Sequence, residues 1–111
     1  MDCLFCAITR GEIPAAKILE SEKALAFNDI NPQAPVHVLI IPKSHYENVA
    51  ELSINEPETV SELFKLAHQL SLENSLEGYR TVFNTGAAAG QSVFHAHLHL
   101  LGGREFNWPP G

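Results

Sequence analysis

Apolar and polar positions alternate along "AKILESEKALAFND", residues 16–29, which predicts two strands joined by a tight turn at residues 21–23. "NPQAP" punctuates the chain as a loop, and "VHVLIIP" then runs almost wholly apolar and β-branched, as a central strand ended by Pro42. From Asn55 to about Asn74 the period becomes helical. Val60, Leu63, Phe64, Ala67 and Leu70 form the apolar stripe, with Asn55 or Glu56 as cap and Pro57 in the first turn. "YRTVFNTG" reads as a further strand, "AAAGQS" as a loop and "VFHAHLHLLGG" as the last strand. At the start, "CLFCAITRG" makes a short helical turn closed near Gly11 and Pro14. The tail "REFNWPPG" carries two prolines and cannot continue a sheet. The expected fold is α+β: about five mainly antiparallel strands, one long helix and one short one, in a single domain spanning residues 1–111.

Composition narrows the classes of function. The chain is 45% hydrophobic and 18% charged, ordinary for a globular protein, and holds no apolar run long enough to span a bilayer. The N-terminus lacks a basic segment followed by an apolar one, so no signal peptide and a cytoplasmic location are expected. A formal charge of −6 argues against a basic face for long nucleic acids. It leaves a single nucleotide open as a ligand, because backbone N–H groups and a few imidazoles can hold one phosphate.

The chemistry concentrates in "QSVFHAHLHLLGGR", residues 91–104. His95, His97 and His99 recur at a spacing of two, so on a strand they share one face while Ala96, Leu98 and Leu100 share the other. The pattern predicts an apolar back and an imidazole-lined front. His37 is the one polar residue within "VHVLIIP", and His68, on the long helix, reads as a surface residue. Three imidazoles on one face suit metal ligation or phosphorus and proton chemistry. The outer pair would sit about 13 to 14 Å apart by strand rise, a poor match to one tetrahedral ion. Phosphorus chemistry fits better, since a neutral imidazole is a good nucleophile near neutral pH. The preceding "NTGAAAGQS" adds Gly86 and Gly90, whose freedom at positive φ lets backbone N–H groups turn toward an anion; a plain strand connection explains the same loop.

These segments resemble the histidine-triad (HIT) family, in particular its Hint branch of histidine-triad nucleotide-binding proteins. "GEIPAAKILE", "ALAFNDINPQAPVHVLIIPKSH", "GYRTVFNTG", "GQSVFHAHLHLLGGR" and "WPPG" match that branch in order and spacing. The resemblance implies a HIT-like fold, a homodimer whose sheets join, and the tail at residues 104–111 at the interface, with Trp108 reaching the partner's site. It implies a purine-nucleotide hydrolase that cleaves the P–N bond of nucleoside 5′-phosphoramidates. His97 would attack the α-phosphorus to give a nucleotidyl-histidine, with a backbone carbonyl accepting from its Nδ1. His99 would contact the phosphate, partnered by His37, and Ser92 would help deliver a proton to the leaving amine; His95 completes the triad. Asn84 and the Gly90, Gln91 and Ser92 backbone would hold the phosphate. Asp29 would accept from the ribose hydroxyls, or instead cap the "NPQ" turn. Leu4, Phe5, Phe27, Ile30 and Leu39 would wall the purine, or serve as ordinary core.

Cys3 and Cys6 form C-x-x-C, which alone suits a redox pair, half a metal site or two buried apolar residues. A redox role wants a strand before the motif, which is lacking here. Some HIT proteins join this pair to the histidine after "IPK" and the first triad histidine to bind structural zinc; here those are Cys3, Cys6, His45 and His95. As a zinc ligand, His95 would anchor the catalytic strand instead of serving the phosphate. Other readings are cleavage of dinucleoside polyphosphates, disfavoured by the "WPPG" tail, a nucleotide-binding regulator with incidental catalysis, and a zinc-stabilised interaction module, which leaves the triad loop unexplained.

Overall fold

The computed structural model describes residues 3–111. In chain order it contains α1 (Leu4–Thr9), β1 (Lys17–Glu20), β2 (Ala24–Asn28), β3 (Val36–Pro42), α2 (Val49–Asn55), α3 (Pro57–Glu73), β4 (Tyr79–Val82) and β5 (Leu98–Gly102). A single 3₁₀ turn covers Ala87–Ala89. The five strands form one sheet in the order β1-β2-β3-β5-β4, every neighbouring pair antiparallel. The near-continuous apolar run of "VHVLIIP" follows from this order, because β3 is central and covered on both faces. Among the described residues no helix is long and apolar enough to cross a membrane.

Each face of the sheet has its own core. Ala24, Ala26, Val38, Ile40, Ala96, Leu98 and Leu100 pack beneath Leu52 of α2 and Leu63, Leu66, Ala67 and Leu70 of α3. On the opposite face Leu25, Phe27, Leu39 and Ile41 pack against Phe5 and Ile8 of α1. The hairpin turn is fixed by Ser21, whose N–H donates to the Ala24 carbonyl while its hydroxyl accepts from the Ala24 N–H. The first helix closes as expected at Gly11, which takes a φ of +77° while the Glu12 N–H donates back to the Ala7 carbonyl.

Several elements depart from the sequence reading, each for a local reason. The last strand begins at Leu98, not Val93, because the Ala96 N–H donates to the Tyr46 carbonyl in the loop after β3. The strand expected over residues 79–86 ends at Val82. A further helix, α2, follows Asn48, whose side chain accepts from the Glu51 N–H while the Glu51 carboxylate accepts from the Glu47 N–H. It buries only Leu52, so its seven residues hold too little apolar periodicity to read. On α3, capped at Glu56 with Pro57 first, the buried stripe is Thr59, Leu63, Leu66, Ala67, Leu70 and Ser71. Phe64 stands half-exposed beside Phe83, and Leu66 takes the core position assigned to it.

Candidate active site

Direct opposition in the register places His99 across from Leu39 on the α1 face, and His37 lies two residues before Leu39 on that same face. The imidazoles therefore line the side of the sheet opposite α3, and Ala96, Leu98 and Leu100 fill the core behind them, as the alternation predicts. The His97 and His99 ring centroids lie 4.9 Å apart. Phe5, on α1, meets both His95 and His97 edge-on at 5.8 and 5.1 Å.

The hydrogen bonds assign a tautomer to each ring. The Gln33 backbone N–H donates to His37 Nδ1 at 3.0 Å, so a neutral His37 carries its proton on Nε2. That Nε2 faces His99 Nδ1 at 3.0 Å and donates to it, which puts the His99 proton on Nε2. His97 Nδ1 donates to the His95 carbonyl at 2.8 Å, leaving Nε2 as a bare lone pair. Sequence reasoning expected a carbonyl in this role, and the one that fills it belongs to the neighbouring triad residue. His95 Nε2 donates to the Pro42 carbonyl at 2.8 Å, leaving Nδ1 bare. A basic nitrogen at His97 thus lies beside a ring, His99, able to donate.

Burial keeps these rings neutral. His97 titrates below the ordinary imidazole value because burial disfavours its charged form, opposed by the His95 carbonyl and Asp29. His99 is pushed down to about 4, first by burial and then by the neighbouring His97 and His37 rings. A neutral nucleophile at physiological pH follows.

His95 is fully buried with both ring nitrogens engaged, so its side chain belongs to the cysteine cluster and not to the phosphate. Its Nδ1 lies 3.4 Å from Cys3 Sγ, 3.5 Å from Cys6 Sγ and 3.1 Å from His45 Nδ1, and His45 Nδ1 lies 3.3 Å from Cys6 Sγ. A tetrahedral ion with bonds of about 2.0 Å to nitrogen and 2.3 Å to sulfur sets its donor atoms roughly 3.3 to 3.8 Å apart. The four side chains match that spacing, the two sulfurs are not bonded to one another, and His95 presents the unprotonated nitrogen a metal requires. A redox pair would leave His45 and His95 without a reason to converge on the thiols.

Asp29, His37 and His99 form a second group of donor atoms within 4.8 Å of one another. Here the fit fails. The Gln33 N–H holds the lone pair of His37 Nδ1, so Nε2 keeps its proton and cannot ligate. Asp29 performs both tasks foreseen for it in part: Oδ1 accepts from the Asn31 N–H at 2.8 Å, closing the turn, while Oδ2 faces His37 Nε2 at 3.4 Å.

The expected phosphate loop divides. The Gly90 and Gln91 N–H groups donate to the Ala87 and Gly86 carbonyls and are closed to an anion. The next amides, of Ser92 and Val93, have no acceptor among the described residues, and neither do the side chains of Ser92 and Asn84. Asn84 follows Val82, the register partner of His99, by two residues and so reaches the sheet end where His97 lies. Phe5, Phe27 and Leu39 pack into the smaller core under the imidazoles, as ordinary core residues do. Leu4 is exposed, Ile30 fully so at 101%, and Trp108 stands 83% exposed on the tail. The tail itself is held by Phe106, over which the Arg80 and Arg104 guanidinium groups stack at 5.0 and 4.2 Å.

Sequence reasoning missed the loop between β3 and α2. Its Pro42, Tyr46 and Glu47 carbonyls accept from His95 Nε2, the Ala96 N–H and Gln91 Nε2. Backbone oxygens carry no residue signature, so nothing in "PKSHYE" beyond His45 advertises this cradle.

The family profile of the HIT domain matches residues 10–106. The chain is 47% identical to the 14 kDa zinc-binding protein of Zea mays, the match covering 97% of this chain and 87% of that protein. It is 44% identical to the adenylylsulfatase HINT1 of Arabidopsis thaliana, over 97% of this chain and 76% of that one. Among solved structures, a HIT family hydrolase from Legionella pneumophila superposes with a TM-score of 0.94 at 47% identity, covering 99% of this chain and all of that one.

Proposed function

The chain belongs to the HIT family, and on that premise we propose that it is a hydrolase of nucleoside 5′-phosphoramidates acting through a nucleotidyl-histidine intermediate. The observation that carries this reading is the bare Nε2 of His97 beside the His99 ring. His97 Nε2 attacks the α-phosphorus, the P–N bond breaks, and the amine departs with a proton delivered with the help of Ser92. Water then attacks the nucleotidyl-imidazole, releasing the nucleoside monophosphate and the free His97. His99 Nε2–H, Asn84 and the Ser92 and Val93 amides donate to the phosphoryl oxygens as charge builds on them. Asp29 accepts from the ribose hydroxyls, and the purine lies against the apolar side chains near Phe27 and Ile30.

Cys3, Cys6, His45 and His95 hold a zinc ion in this reading, and the Zea mays relative's name agrees with it. Bound there, zinc would join α1 to the loop after β3 and the catalytic segment, a structural task. The protein acts as a cytoplasmic homodimer whose sheets join, with residues 104–111 at the interface and Trp108 reaching the partner's site.

A second leaving group has specific support, since the Arabidopsis relative is named for cleaving an adenylyl–sulfate bond. Steady-state rates with adenosine 5′-phosphoramidate, its guanosine counterpart, adenosine 5′-phosphosulfate and a diadenosine polyphosphate separate the readings, for wild type and His97→Ala. We expect the phosphoramidate to be the best substrate and His97→Ala to abolish turnover while keeping much of the binding of AMP. Near-normal turnover by that variant removes the mechanism. A wild type that binds nucleotides but turns over none of the four leaves only a nucleotide-binding regulator.

A further inference from the structure

Gln91 is among the few buried polar side chains outside the histidines, and its amide is fully engaged. Its Oε1 accepts from the Gly86 N–H at 2.8 Å, while Nε2 donates to the Glu47 carbonyl at 2.6 Å and to the Val93 carbonyl at 3.0 Å. Its own backbone N–H closes the loop on the Gly86 carbonyl at 3.1 Å. One residue thereby cinches the turn over residues 86–93 and ties it to Glu47, the residue just before the Asn48 cap of α2.

We propose that Gln91 is a positioning residue that never touches the nucleotide: it aims the Ser92 and Val93 amides at the phosphoryl group from a loop that would otherwise be held only by its own backbone. The proposal rests on the phosphoryl-transfer reading above for its consequence, and on hydrogen-bond geometry for its cause. The Gly90 and Gln91 amides are consumed inside the turn, so the donors left for an anion begin immediately after Gln91. Gly86 and Gly90 both take positive φ, 91° and 98°, so the loop backbone has little stiffness of its own. The side chain of Gln91 supplies a connection across 44 residues of sequence. Its partner loop also bears the carbonyls that hold His95 and Ala96, so the amide donors and the nucleophile's carrier are registered to one common frame. Donors displaced by about 1 Å lose on the order of 100-fold in rate, mostly from the transition state, where charge on the oxygens is greatest.

The test compares Gln91→Met, which keeps length and removes all three bonds, with Gln91→Glu, which keeps the acceptor for Gly86 and removes both donations. In the ligand-free protein the Ser92 and Val93 amide resonances should shift or broaden in both variants, while those of β1 and β2 stay in place. Turnover of adenosine 5′-phosphoramidate should fall by about 10- to 100-fold in kcat, with the Kd of AMP within about threefold of wild type. An unchanged kcat with KM and the AMP Kd raised together makes Gln91 a direct ligand contact and overturns the proposal. Unmoved Ser92 and Val93 resonances overturn it as well. Should Gln91→Met fail to fold, Gln91→Glu decides by the same readouts. If wild type turns over no phosphoramidate, the phosphoryl-transfer reading fails separately, and the amide resonances still test the positioning role.

Discussion

His37 Nε2 and His99 Nδ1, on adjacent strands and 62 residues apart in sequence, face each other at 3.0 Å, and the Gln33 N–H behind His37 sets the direction of that bond. A proton relay of fixed polarity results: backbone amide to His37, His37 to His99, and His99 Nε2–H outward. Replacing His37 by Leu removes the donor and frees the tautomer of His99. We expect His37→Leu to lower kcat roughly 100-fold with little change in AMP affinity, measured by steady-state kinetics and calorimetry. Equal losses in both would assign His37 to binding instead.

The depressed titration of His99 makes a prediction about pH. Burial comes first among its causes, then the His97 and His37 rings, with Asp29 pulling the other way. Between the ordinary value of 6.5 and about 4, the unfolded chain binds a proton here that the folded chain does not. Its contribution to stability is therefore complete above that window and is lost as pH falls through it. Wild type should lose stability more steeply between pH 6.5 and 4 than His99→Asn does, by thermal melting across that range. Parallel curves would contradict a neutral, buried His99.

Metal stoichiometry follows from the two donor clusters. The protein should bind one equivalent of zinc, and Cys6→Ser should lower occupancy while His37→Leu leaves it unchanged, as mass spectrometry under native conditions would read. With zinc at about 100 times its Kd, removal by a chelator should cost about 2.7 kcal/mol, a fall in Tm of roughly 10 °C. A second equivalent at Asp29, His37 and His99 would refute the tautomer assignment.

The helix register is open to the same kind of check. Leu66→Ala should destabilise by about 2 to 4 kcal/mol, because the side chain is buried in the main core. Leu72, 67% exposed on the same helix, should tolerate alanine within about 0.5 kcal/mol. Urea denaturation of both variants separates the observed stripe from the one that assigns Phe64 to the core.

The amino-acid sequence by itself determined much of this protein. Alternation set the hairpin at residues 21–23, the central strand ending at Pro42, and the division of "HAHLHLL" into imidazoles on one side and Ala96, Leu98 and Leu100 on the other. Side-chain periodicity is a local property, so these features were legible. It misassigned the face of α3 at Phe64 and Leu66, since both lie near the edge of the apolar stripe and only packing against β3 and β5 chooses between them. Tertiary structure alone decided which nitrogen of each imidazole is bare. The selecting partners are the Pro42 carbonyl for His95, 53 residues away, the His95 carbonyl for His97, and the Gln33 amide acting through His37 for His99. Every residue but proline carries the same backbone amide and every residue the same carbonyl, so those partners leave no mark in a sequence; they act only where folding brings them within hydrogen-bond reach of a ring.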